Sequence, residues 1–134
     1  MIRALKVVLV IFGVVEIILG LIMVIFPDYA ADMVKASVLS GDLSYAMASL
    51  GICLIVPSIF LIMAARDPLK HISWVKFAIA WCGIGAIAGL YSVLRGDLPF
   101  GNAATQIIMD AVFAILFLIL YPYRAAKSSQ QPAS

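Results

Sequence analysis

VVLVIFGVVEIILGLIMVIF, residues 7–26, contains one ionisable side chain in twenty positions, Glu16, close to its middle. At about 1.5 Å of rise per residue, a helix over this run spans the ~30 Å of bilayer hydrocarbon and carries a carboxyl group to mid-depth. A charge there costs on the order of 3 kcal/mol on insertion scales unless it faces protein or water, so Glu16 is expected to point inward. Gly13 and Gly20 stand three residues before it and four after it, on the same helical face. Missing side chains let a neighbouring backbone come close, so the face that packs is expected to be the face that carries the acid.

The rest of the 134-residue chain is of the same kind: 65% of it is hydrophobic, 12% is charged, and the mean hydropathy is +1.14. That is too apolar for a soluble domain of this length and leaves room for one membrane unit. The net charge of +2 is small, the basic residues are scattered and the aromatics do not interleave with them, which excludes a nucleic-acid surface. Arg3 and Lys6 precede the first apolar run as in a secretory signal, but the run is longer than a signal core and no A-x-A site follows. It is expected to be retained.

Three further spans are read from the pattern. The first span, about 7–26, ends at Pro27 and Asp28. The stretch DYAADMVKASVLSGD then places Ala30, Val34 and Val38 at intervals of four, which predicts a short interfacial helix ending near Gly41. The second span, about 44–65, contains Pro57, which removes a backbone donor and is expected to kink the helix. RDPLKHISWVK then forms a basic turn with Trp74 at headgroup level. The third span, about 77–94, carries the G-x-x-x-G pair Gly85 and Gly89, a signature of close helix contact. The fourth, about 103–121, sets Gln106, Asp110 and Ala114 in one row. A single four-helix domain, 1–124, is therefore expected, with 125–134 a polar, aperiodic, disordered tail. The fold class is an all-α membrane protein, a four-helix up-down bundle with a short interfacial helix in its first outer loop.

Charge sets the expected orientation. Arg3, Lys6, Arg66, Lys70, Lys76, Arg124 and Lys127 fall on one side and Lys35 and Arg95 on the other, seven against two, which puts both termini in the cytoplasm. By residue count Glu16 lies about 15 Å in from Lys6, and Asp110 about 17 Å in from the Tyr121 boundary. In an up-down bundle the first and fourth helices are neighbours, so the two carboxyls are expected at one level across that interface, where both cannot stay ionised in low dielectric. Glu16, Asp110 and Gln106 are the candidate buried polar or proton site. One use is proton or cation coupling; the other is hydrogen-bonded packing that fixes helix register. Arg95 is within snorkelling reach of Asp110, which would favour packing for that residue.

The other candidates are weaker. Trp81 is a candidate pocket aromatic, with core or lipid-facing packing as the alternative. His71 sits in the basic turn without partners in the sequence and reads as an interfacial residue. Cys53 and Cys82 have no C-x-x-C spacing and no nearby histidine, and lie near 18 Å and 9 Å from the cytoplasmic boundary, so neither a disulfide nor a metal site is expected. Gly13, Gly20, Gly85 and Gly89 are the expected packing positions. No cofactor is expected, and no G-x-S-x-G, H-E-x-x-H, P-loop or dinucleotide fingerprint is present.

The layout of four spans, the first helix ending in IFP at 25–27, the turn AARDPLKH at 64–71 and the ending DAVFAILFLILYP at 110–122 resemble the small bacterial membrane proteins of the DoxX-like and BphX-like group. That resemblance implies a membrane subunit, in some members of quinone-linked redox complexes, and carries no catalytic residue over to this chain. More locally, Glu16 and AIAWCGIG at 78–85 are similar to the small multidrug resistance transporters. By that resemblance Glu16 would bind protons or an organic cation and Trp81 would line the site. The longer loops, the additional Asp110 and the strong charge bias depart from that pattern. The expected protein is thus a non-enzymatic, multi-pass protein of the bacterial inner membrane. Its expected partners are the lipid bilayer and a larger membrane complex or further copies of itself. An accessory or interaction role comes first, a proton-coupled exporter second and a quinone-associated subunit third.

Overall fold

The computed structural model describes residues 1–33, 41–96 and 99–122. Among them there is helix and no strand: α1 (Ile2–Ile25), α2 (Pro27–Met33), α3 (Gly41–Ala64), α4 (Ile72–Leu94) and α5 (Phe100–Leu120). Four of these, α1, α3, α4 and α5, are long and apolar enough to cross a membrane. The expected continuation of the short helix through Val34 and Val38, the charges at Lys35, Asp97, Arg124 and Lys127, and the tail 125–134 lie outside the described residues.

Several boundaries differ from the sequence reading. Pro27 does more than end α1. Phe26 caps that helix, and Pro27 is the first residue of α2, where its missing N–H has no helical partner to lose. Gly41 opens α3. The basic turn is shorter than expected because α4 starts at Ile72, five residues before Phe77, and takes in Trp74 and Lys76. The turn itself is held by Asp67, whose side chain accepts from the Lys70 N–H at 3.3 Å and whose carbonyl accepts from the His71 N–H at 3.1 Å. Lys6 donates to the Arg66 carbonyl at 2.7 Å, which ties the start of α1 to this turn. α4 ends on Gly96, with φ of +79°, whose N–H returns to the Val93 carbonyl.

Packing divides the spans into two close pairs, α1 with α3 and α4 with α5. Glycine makes both possible. A Cβ on Gly13 would stand 2.7 Å from Ile62, and one on Gly20 would stand 2.6 Å from the Gly51 carbonyl oxygen. On the other pair, Gly85 faces the Asp110 side chain and Gly89 faces Ile107. Close approach is what holds such helices together in lipid, where apolar side chains gain no hydrophobic driving force from meeting one another.

The pairs meet through a core of Leu5, Leu9, Phe12, Leu61, Val75, Ala78, Cys82 and Phe117. Phe12 of α1 lies against Phe113 at 4.8 Å and edge-on to Phe117 at 5.5 Å, both from α5. Phe60 of α3 stacks on Trp74 of α4 at 5.0 Å with the rings 3° from parallel. All of these residues belong to the half of the molecule that contains the start of α1, the α3–α4 turn and the end of α5.

Candidate functional site

Glu16 is presented by the packing face of α1. It is 2% exposed, between the buried Gly13 and Gly20, as the inward expectation requires. Asp110, 4% exposed, is presented by α5. It fits against α4 because residue 85 is glycine; a Cβ there would stand 2.5 Å from Asp110 Oδ2. Gln106, one turn earlier on α5 and exposed where a buried group was expected, donates from Nε2 to the same oxygen at 3.1 Å. Phe12 and Phe113, each about one turn from Glu16 and from Asp110 respectively, meet with their rings 4.8 Å apart, so α1 and α5 run side by side next to the two acids.

Their surroundings are unequal. Asp110 has the Gln106 amide, whereas Glu16 has no hydrogen bond among the described residues. Yet no fully enclosed side-chain oxygen or nitrogen lacks a partner there, so the Glu16 carboxyl oxygens keep a small accessible surface. A carboxyl in this position, out of the lipid and without a donor, is satisfied by a proton or by whatever small polar or cationic species reaches it.

Cys82 of α4 is a buried core residue and a free thiol. The sequence reading expected neither a disulfide nor a metal site of it. It stands three residues from Gly85, on the side of α4 that faces Asp110. Two other inward positions were missed. Gly51 opposes Gly20, and the buried Ser58 closes its own hydroxyl onto the Leu54 carbonyl at 2.6 Å, so it offers its proton to neither acid.

The remaining candidates lie elsewhere. Trp81 continues an aromatic row along α4, with Phe77 at 5.6 Å, and packs on the core; it has no hydrogen bond to either acid. Arg95 caps α4 with its guanidinium over the Tyr91 ring at 5.8 Å. His71 is the exposed residue preceding α4. Cys53 is exposed on α3 while Cys82 is buried, and both are free. No group of three or more metal-ligating side chains forms among the described residues.

Compared with protein-family models, with curated proteins and with solved structures, the chain finds no match in any of the three. The functional reading therefore comes from the site itself.

Proposed function

We propose that this is a four-helix, up-down membrane bundle in which Glu16 and Asp110 form an intramembrane site that takes up a proton or a small cation. The observation that carries this reading is Glu16: buried, on the part of α1 that meets α5 near Asp110, and without a hydrogen-bond donor among the described residues. A purely structural acid in a bundle earns its place by bonding across helices, and Glu16 makes no such bond. Its burial cost is offset when the carboxyl holds a proton or a cation, which is the usual economy of intramembrane acids. The seven-to-two split of Lys and Arg supports cytoplasmic termini in a bacterial inner membrane.

The experiment is reconstitution of the purified protein in liposomes under an imposed pH gradient, with proton flux and uptake of tetraphenylphosphonium as readouts. Flux or uptake that Glu16→Gln abolishes, while the variant stays folded, is the expected result. Wild-type liposomes indistinguishable from protein-free ones in both readouts would remove the transport use of the site.

A second reading, an accessory subunit without enzymatic activity, is supported by the outer half of α4, where Ile84, Ile87, Leu90 and Leu94 stand clear of the rest of the chain. The likeness in layout to the DoxX-like group favours it too. Stoichiometric co-purification with a larger complex in mild detergent, with Glu16→Gln changing only thermal stability, is the outcome that would select it.

A further inference from the structure

The contacts joining the two helix pairs are unevenly distributed along the membrane normal. Counting along the helices at about 1.5 Å per residue, Phe12, Leu9 and Leu5 lie about 6, 10 and 16 Å from Glu16, all toward the α3–α4 turn. Phe113 and Phe117 lie about 4 and 10 Å from Asp110 in the same direction. Phe60, Trp74 and Val75 belong to that half as well. Toward the opposite face, the face of α2, α1 still packs on α3 through Gly20 and Gly51, and α4 still packs on α5 through Gly89 and Ile107. Those are contacts within each pair. Beyond the level of the acids, Ala103 is the one buried residue of α4 and α5 among the described side chains, while Ile87 and Leu94 are 70% and 78% exposed. Among the described residues, the seam between the pairs is thus filled on one side of the acids and sparsely filled by α4 and α5 on the other.

The Glu16 carboxyl oxygens keep accessible surface despite the burial of the residue as a whole. Toward the α3–α4 turn the packing beside the acids is closed, since Leu5, Leu9, Val75, Ala78, Cys82 and Phe117 are all fully buried, and the sparsely filled side is the one that leaves room for entry. We propose that the Glu16–Asp110 pair is entered from the face that carries α2, and that the Phe12–Phe113–Phe117 cluster is the barrier that closes it from the face that carries the α3–α4 turn. Aromatic rings suit that task. Two of them come from α5 and one from α1, so the plug spans the seam between the pairs and a change in their relative tilt would open or shut it. The claim concerns access alone and stands whether or not the pair transports anything.

The test uses single cysteines in a Cys53→Ser, Cys82→Ala background, with the protein in sealed vesicles and a charged, membrane-impermeant thiol reagent added outside. Tyr29→Cys on α2 and Leu69→Cys in the turn, both exposed, report which face is outward in each preparation. Glu16→Cys is expected to react where Tyr29→Cys reacts and to stay unreacted where only Leu69→Cys reacts. Adding Phe12→Ala and Phe117→Ala is expected to raise the rate from the turn face at least tenfold, and Phe117→Leu, which keeps more of the core, takes their place with the same expected direction if the double variant does not elute as a single folded species. Asp110→Cys serves as the second probe if Glu16→Cys fails to elute as a single folded species. Reaction from the turn face, equal reaction from both faces, or no reaction from either would overturn the proposed route. An unchanged rate in the double phenylalanine variant would overturn the barrier.

Discussion

Gly20 and Gly51 oppose each other backbone to backbone: a Cβ on either would stand 2.6 Å from the carbonyl oxygen of the other. The relation is reciprocal, and it fixes where α1 and α3 cross. It also explains why Glu16, one turn from Gly20, is carried into the protein interior and away from lipid.

Adding a methyl group at this crossing meets main chain, which cannot swing away as a side chain can. Gly20→Ala and Gly51→Ala are each expected to destabilise the protein by about 1–3 kcal/mol, the usual cost of overpacking. Gly83→Ala, at a helical position with nothing within 4 Å, is expected to be neutral or slightly stabilising. Unfolding titrations with SDS in mixed micelles give the comparison. Equal stability of all three variants would show that the crossing is looser than described.

At Gly85 the obstacle is the carboxyl of Asp110, the end of a short side chain. Gly85→Ala is expected to turn that carboxyl away and break the bond from Gln106. Gln106→Leu removes the same donor directly, with an expected loss of about 1–3 kcal/mol for a buried acceptor left unpaired. If the bond is the cause, Gln106→Leu costs much less in an Asp110→Asn background, and a double-mutant cycle measures the difference. Additive losses would assign the effect of Gln106 to something other than Asp110.

Phe117 is fully buried and meets Phe12 edge-on. Phe117→Ala is expected to cost about 3–5 kcal/mol, as for other large core deletions. Phe12 and Phe117 are expected to couple by about 0.5–1.5 kcal/mol beyond their separate losses. Thermal denaturation of the two single variants and the double variant checks both figures, and zero coupling would mean that the rings share the core without interacting.

Trp74 reaches back from the first turn of α4 to stack on Phe60 of α3. Trp74→Phe keeps a ring at that place and is expected to be tolerated, whereas Trp74→Ala is expected to loosen the junction between the pairs. Faster cleavage by an added protease at Arg66 and Lys70 in the alanine variant alone is the expected result. Identical cleavage in all three forms would remove the stack from the account of that turn.

Much of this could be read from the chain itself. Apolar runs with few charges specify four spans, because unpaired charge and free backbone groups are costly in hydrocarbon and a helix satisfies its own backbone. The inward face of α1 was legible as well, since Gly13, Glu16 and Gly20 repeat at helical spacing. The helix ends were less legible. Trp74 and Lys76 look like turn in a sequence that mixes charge with apolar residues, yet α4 begins at Ile72, because a helix continues past the hydrocarbon wherever nothing breaks it.

Only the tertiary structure decided how the spans pair, and with that what surrounds each acid. Nothing local to Gly51 says that it meets Gly20, and nothing local to Glu16 says that it lacks the donor Asp110 has; both depend on which faces of distant helices oppose each other. The one-sided core is only in part a property of the assembled helices. α3 and α5 are more apolar toward the α3–α4 turn, CLIVPSIFLIMA at 53–64 and AVFAILFLIL at 111–120, than toward their other ends, so the chain favours that side; that Leu9, Phe12 and Phe117 are the residues that meet there is decided by how the two pairs lean together.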